Sequence, residues 1–119
     1  MFRITYKQGC NGELVANLEL RQGDTGLLRV NPKTKSTGEL IDFDLLEKIF
    51  FKFSSDNYKE IYSKELERQE DYFLLRVENT ESETFTPDTF IYEFECTFTD
   101  GSVDTPKVGG ITITEQIKK

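Results

Sequence analysis

The stretch from residue 90 to residue 101, FIYEFECTFTDG, constrains the fold of this chain more than any other. Phe90, Tyr92, Phe94, Cys96 and Phe98 alternate with mainly polar residues, so an extended chain carries one apolar face and one polar face. As a helix, the same residues would scatter aromatic rings and glutamates around the whole cylinder. The pattern therefore predicts a half-buried β-strand. Burying each large side chain is worth roughly 1.5–3 kcal/mol, so a second layer of structure is expected to cover the apolar face.

The end of this strand predicts a tight hairpin. Asp100 and Gly101 suit a two-residue type I′ turn, in which both central residues take positive φ. Such a turn would place Phe98 opposite Val103. Pro106 has no amide hydrogen and is expected to interrupt the pairing, before the period of two resumes in a last strand near the C-terminus.

Length and charge limit the classes of protein that the chain can belong to. Its 119 residues predict a single domain, residues 1–119. A formal charge of −7 without clustered Lys and Arg argues against nucleic acid and against an anionic membrane as partners. No signal-peptide pattern and no long apolar run is found, so the protein is expected to be made and kept in a cytoplasm.

The chain contains no histidine, which removes Ser-His and Cys-His dyads and imidazole metal ligands from consideration. No P-loop, GxSxG or GxGxxG motif is present. Cys10 and Cys96 are expected to be reduced thiols, with Cys96 in the core. The sequence pattern is typical of turn residues rather than of calcium ligands at Asp24, Asp100 and Asp104. No catalytic residue, cofactor or metal is therefore expected.

The remaining chain predicts further short strands separated by turn signals. These strands are expected over residues 2–7, 14–21, 27–30, 49–53 and 72–78. The strand at 27–30 is expected to pair with the strand at 14–21. Asp44 is expected to cap one helical turn before the strand at 49–53. Residues 31–39 and 79–88 read as polar loops.

Residues 58–71, YKEIYSKELERQED, fit two structures. Tyr58, Ile61, Tyr62 and Leu66 fall at helical spacing and predict a short helix over residues 58–70. The alternative is an edge strand over residues 59–64 followed by a charged loop. The surrounding β pattern favours the strand, because an isolated helix of this length is marginal.

Together these patterns predict an all-β domain of seven to eight short strands. Turn signals recur every 8–15 residues, and no helices alternate with the strands. Two packed antiparallel sheets, a β-sandwich, are the expected architecture, and a barrel is the alternative.

The C-terminal part of the sequence resembles small Ig-like modules of tailed bacteriophages and prophages. The residues that carry the resemblance stand in the order found in those modules: FIYEF at 90–94, TFTDGSVDT at 97–105, Gly109-Gly110 and ITE at 113–115. Upstream, QGDTG at 22–26 and the segment 44–53 are similar to the front half of the same modules. The best-known relatives of these modules are the N-terminal domains of phage baseplate upper proteins.

The resemblance implies an Ig-like fold and a non-enzymatic structural or assembly role in a phage or prophage tail or baseplate. Other virion proteins, and further copies of the chain in the assembly, are the partners it implies, and the virion, assembled in the bacterial host cytoplasm, is the location. Candidate contact residues are Tyr58 and Tyr62, together with Lys33 and Lys35 in the loop 31–39. The alternative is a carbohydrate-binding or adhesion module, in which Tyr58 or Tyr62 would stack on sugar rings, although aromatic core packing explains these tyrosines more simply.

Overall fold

Alternating apolar residues form strands along most of the described chain. The structure is a computed structural model, and it describes residues 2–8, 14–32, 42–55 and 59–116. Its elements are β1 (Arg3–Gln8), β2 (Leu14–Arg21), β3 (Gly26–Val30), a 3-10 helix (Phe43–Leu45), β4 (Leu46–Ser54), β5 (Glu60–Glu65), β6 (Glu67–Arg68), β7 (Phe73–Val77), α1 (Asn79–Ser82), β8 (Asp88–Phe98) and β9 (Val103–Thr114).

The strands form two sheets of unequal width. One has six strands in the order β1-β2-β9-β8-β4-β5, and the other has three in the order β3-β7-β6. The predicted all-β class is confirmed. The prediction of exclusively antiparallel sheets is wrong, because β2 pairs with β9 in parallel. The described residues form nine strands rather than seven or eight, and the extra strand, β6, has only two residues.

The predicted apolar face of β8 lies at the centre of the core. Its Phe90, Tyr92, Phe94 and Cys96 are all buried. They belong to one cluster with residues from both sheets, among them Ile49, Phe51, Phe53, Phe73, Leu75 and Val77. The ring of Phe51 on β4 has four aromatic neighbours, with centroids 5.5–6.5 Å away. Aromatic burial between the two sheets therefore provides the main stabilisation of the fold.

Residues 60–65 form an edge strand, so the predicted helix over residues 58–70 is wrong and the strand alternative is confirmed. β5 pairs antiparallel with β4, and Tyr62 lies opposite Phe53. The helical spacing of the apolar residues is overridden by tertiary structure, because β4 offers an unpaired edge and an aromatic partner for Tyr62.

Strand β3 does not pair with β2 as the sequence predicts. It crosses to the three-stranded sheet and pairs with β7, because β9 already occupies the free edge of β2. The connecting turn is held by the segment after β7. The Ser82 hydroxyl, fully buried, donates to the Asp24 carbonyl at 2.6 Å, and the Gln22 side-chain amide donates to the Phe85 carbonyl at 2.6 Å.

Both short helices differ from the predictions. The single helical turn before β4 begins earlier than predicted, and its cap is Asp42, whose carboxylate accepts from the Asp44 amide at 3.0 Å. Helix α1 lies in a segment that was predicted to be a loop. A reciprocal capping box between Glu78 and Glu81 starts it.

The hairpin between β8 and β9 has a three-residue loop rather than the predicted two-residue type I′ turn. The Phe98 amide donates to the Ser102 carbonyl at 2.9 Å, and the Gly101 amide donates to the Phe98 carbonyl at 3.0 Å. The predicted register is therefore wrong by one residue, with Val103 opposite Thr97. Gly101 takes the positive φ, +89°, in the manner of a type I turn closed by a left-handed glycine.

Pro106 lies at a bulge, where the regular pairing of β9 with β8 is interrupted as predicted, although the strand itself runs on from Val103 to Thr114. Asp104 faces Cys96 and Lys107 faces Phe94, which leaves two residues of β9 opposite the single residue Glu95. A bulge tolerates proline because the extra residue donates no regular ladder hydrogen bond. Strand β9 therefore continues through Pro106 and reaches β2.

Gly109 leaves space for a tyrosine side chain that connects three strands. The ring of Tyr92 on β8 lies over Gly109 on β9, and its hydroxyl donates to the Ala16 carbonyl on β2 at 2.5 Å. A Cβ at Gly109 would approach the Ala16 carbonyl oxygen to 2.6 Å and the Tyr92 ring to 2.7 Å. Glycine is therefore required at this position by close packing on both sides.

We predict that Gly109→Ala destabilises the protein much more than Gly110→Ala. The first substitution collides with backbone and with a buried ring, and we expect a loss of at least about 2 kcal/mol. The added Cβ at Gly110 would meet the Asn17 side-chain oxygen at 3.3 Å and the Phe90 carbonyl oxygen at 4.0 Å, without a collision, so its effect should stay within about 1 kcal/mol. Urea unfolding of the two variants measures this difference. Equal losses would contradict the assigned role of Gly109.

Candidate contact surface

Three of the four predicted contact residues lie outside the described part of the chain. Tyr58, Lys33 and Lys35 lie outside the described residues, as does most of the loop 31–39. Tyr62 is described and half-buried. Its role as a contact residue stays a prediction.

The ring and the hydroxyl of Tyr62 both have partners inside the protein. Its ring centroid lies 5.5 Å from that of Phe53 and 4.9 Å from that of Phe85. Its hydroxyl donates to the Glu81 carboxylate at 3.0 Å. Burial, and then the hydrogen bond to Glu81, raise the pKa of Tyr62. Only part of this ring is accessible to another molecule.

The Cys96 thiol and the Asp100 carboxylate contact other parts of the protein. The Cys96 thiol is buried, and burial, with a smaller effect of Asp104, raises its pKa to about 11. Cys10 lies outside the described residues. The Asp100 carboxylate accepts from the Ser102 hydroxyl at 2.6 Å and from the Ser102 amide at 2.9 Å, and these bonds lower the pKa of Asp100.

The described ranges contain no group of three His, Cys, Asp or Glu side chains arranged to hold a metal ion. In the same part of the chain, no helix has the length and apolar composition that a membrane crossing requires.

Three of the sheet edges differ in how they are protected from pairing with other chains. The edge strand β5 carries Glu60, Lys64 and Glu65, and its register with β4 shifts at Ser54. Charged residues and irregular pairing are the usual protection of an edge strand. The β5 edge is therefore a poor template for a further strand.

The edge at β6 is closed by an arginine. The Arg68 guanidinium donates to the Phe43 carbonyl at 2.9 Å, to the Glu47 carbonyl at 3.3 Å and to the Leu46 carbonyl. It also lies over the rings of Phe43 and Phe73, at 5.7 and 5.1 Å from their centroids. Arg68 thus fastens the segment before β4 against the three-stranded sheet.

Strand β3 has the least protected edge. Among the described residues it pairs only with β7, without any shift of register from Gly26 to Val30. Its one charged side chain, Arg29, stacks on the Tyr72 ring at 4.0 Å. Neither a bulge nor a row of charges interrupts the other edge of this strand.

The core beside β3 is incompletely covered. Ile4 on β1 pairs with Leu18 on β2, and directly opposite residues in antiparallel strands point to the same face. Leu18 is buried in the core, yet Ile4 is 42% exposed. Leu28 and Val30 of β3 are only partly buried against the same core. We call the edge of β3, together with Ile4, Leu28 and Val30, the open flank.

Packing between Phe2 and Gly26 brings the start of β3 close to the start of β1. The Phe2 ring is buried, and a Cβ at Gly26 would approach it to 2.6 Å. The start of β3 therefore lies directly over the residue that precedes β1. Sequence reasoning missed the open flank, because the pattern of residues 27–30 predicts a strand but not the sheet it joins.

We predict that Arg68→Lys destabilises the protein by about 1–2 kcal/mol, because an ammonium group cannot reach three carbonyls and stack on two rings at once. Arg21→Lys is the matched control, because Arg21 is exposed and its side chain makes no hydrogen bond or ion pair with the described residues. Free energies of unfolding in urea measure both changes. Similar values for the two variants would show that the contacts of Arg68 contribute little.

Neither the models of known protein families nor the curated proteins give a match to this chain.

Proposed function

We propose that this protein is a non-enzymatic structural or assembly module of a tailed-phage or prophage virion, associated with the tail or baseplate. It acts by protein–protein contact, and the open flank is the contact surface. Its partners are other virion proteins, and it is present in several copies. It is assembled into the particle in the bacterial host cytoplasm.

The strand order supports an Ig-like sandwich as the scaffold. The sequence β9-β8-β4-β5 in one sheet and β3-β7-β6 in the other corresponds to the GFCC′ and BED sheets of a variable-type immunoglobulin domain. The C-terminal residues of the phage resemblance lie in β8, in the hairpin and in or just after β9, and the upstream segments, 22–26 and 44–53, lie at the turn before β3 and from the 3-10 helix into β4. They are mainly core and turn residues. They support a common fold and leave the function to be argued from the surface.

The open flank is the observation that carries the proposal. A strand added to the edge of β3 that is unpaired among the described residues would gain main-chain hydrogen bonds and would cover Ile4, Leu28 and Val30. Burial of a few apolar side chains inside a polar rim is how most protein interfaces gain their affinity. In this proposal, a strand of another protein pairs with β3 and extends the three-stranded sheet. Such a contact requires no catalytic group.

The alternative, a carbohydrate-binding or adhesion module, has less support. Sugar stacking needs an accessible aromatic face, and the Tyr62 ring is packed against Phe53 and Phe85. Tyr58, the other aromatic residue proposed for such a role, lies outside the described residues.

Purified phage or prophage particles from the host test the proposal. We expect mass spectrometry to find the chain in the particles, and Leu27→Lys to reduce its incorporation at least about tenfold, because a charge on an edge strand opposes pairing. Leu27 is half-buried on β3, so the substitution leaves the core intact.

The matched control is Ile91→Lys, which adds the same charge to β8, an interior strand, at a residue that is 37% exposed. Thermal unfolding establishes that both variants fold. Absence of the chain from particles would refute the virion role. Equal incorporation of the two variants would refute the open flank as the contact surface.

A further inference from the structure

One carboxylate connects the edge strand β5 to helix α1. Tyr62 and Lys64 are two positions apart on β5, so both side chains point to the same face of the strand. Both reach Glu81 on α1, the tyrosine through its hydroxyl and the lysine through its ammonium group, each at 3.0 Å. The same carboxylate accepts from the Glu78 amide at 3.0 Å.

These contacts supplement a weakly held strand. Outside the ladder with β4, the contacts of β5 come mainly from the Tyr62 ring and from these two hydrogen bonds. Charge-assisted hydrogen bonds are about twice as strong as neutral ones. Ionisation of a single group therefore influences how firmly the edge strand is held.

We infer that Glu81 is an acid-sensitive latch: its ionised carboxylate holds β5 against α1, and its protonation loosens the strand. The lysine then loses its counter-charge, and the tyrosine keeps only a neutral acceptor. The ladder with β4 and the Tyr62 ring packing remain, so the strand opens locally while the core stays folded. This inference does not depend on the proposed virion role.

The charged groups around Glu81 set the sign of the effect. Tyr62 and Lys64 face it from β5, and Glu78 faces it from α1, with Arg76 of β7 close to Glu78. Burial alone would raise the pKa of Glu81, but hydrogen bonds from the Glu78 amide, Lys64 and Tyr62 outweigh it, and the pKa lies below the usual 4.5. The latch is therefore fully closed above pH 4.5 and opens as the pH falls through the lower value of the folded state.

Amide hydrogen exchange of β5, compared with β8 in the same molecule, tests the latch. In Glu81→Gln we expect protection of the β5 amides to fall about tenfold at pH 7, with β8 unchanged. Glutamine can still complete the capping box, so α1 is retained. In the wild type, β5 protection should fall, relative to β8, as the pH is lowered below 4.5, and the variant should show no further fall.

Glu83→Gln is the matched control, because Glu83 is an exposed acid next to α1 whose side chain makes no hydrogen bond with the described residues. It should behave as the wild type. Lys64→Gln provides a second test, since removal of the cation raises the pKa of Glu81 and moves the loss of β5 protection to higher pH. Wild-type protection of β5 in Glu81→Gln, a parallel fall of β5 and β8, or an unshifted pH profile in Lys64→Gln would overturn the inference.

Discussion

The contact of Tyr92 with Gly109 and Ala16 is the constraint on which the strand order of the six-stranded sheet depends. One side chain on β8 crosses β9 and donates a hydrogen bond to β2, and its ring centroid lies 5.7 Å from that of Phe51. Because β2 and β9 are parallel, no short turn can join them. Their pairing brings together Leu18 and Ile111, which are far apart in the sequence. The register of this pair is therefore fixed by side-chain fit rather than by a hairpin.

The parallel pair also determines how wide each layer is. Once β9 occupies one edge of β2 and β1 the other, β3 has no place in the larger sheet and crosses to the smaller one. The turn between β2 and β3 is fixed by the buried Ser82 hydroxyl, which donates to the Asp24 carbonyl. The described strands then form one sheet of six and one of three, and Ile4 on β1 is left 42% exposed. The proposed contact surface is a direct result of this mismatch.

The sequence predicts the position and the buried face of each strand better than the strand with which it pairs. Side-chain alternation indicates which face of a strand is buried, but not which neighbour the strand has. The bounds of β2 and the buried face of β7, with Phe73, Leu75 and Val77, agree with the period of two. The partner of β3 was missed, because two local patterns cannot indicate which sheet a strand joins. The hairpin register failed for a similar reason, since Asp100-Gly101 fits both a two-residue and a three-residue loop.

The candidate site was less predictable than the fold. The sequence predicts exposed contacts at aromatic residues and loop lysines. Tyr62, however, packs its ring inward, and its hydroxyl donates to Glu81. The open flank consists of ordinary apolar residues, Ile4, Leu28 and Val30, whose meaning depends on which strands end at an edge. The spacing of Glu78 and Glu81 is a local sequence signal for helix α1, because it matches a capping box. Without a prediction of α1, Glu81 could not be recognised as the partner of Lys64.

The overall charge bears on which molecules can approach the open flank. Two copies, each with a formal charge of −7, repel one another at the distances where association begins. Direct pairing of the β3 edges of two copies is therefore disfavoured relative to pairing with a less acidic strand of another protein. In the virion proposed above, several copies would then be brought together by the symmetry of the partner rather than by their own contacts. In that proposed arrangement the β5 edge, which carries Glu60, Lys64 and Glu65, would remain free of neighbouring strands while the flank is occupied.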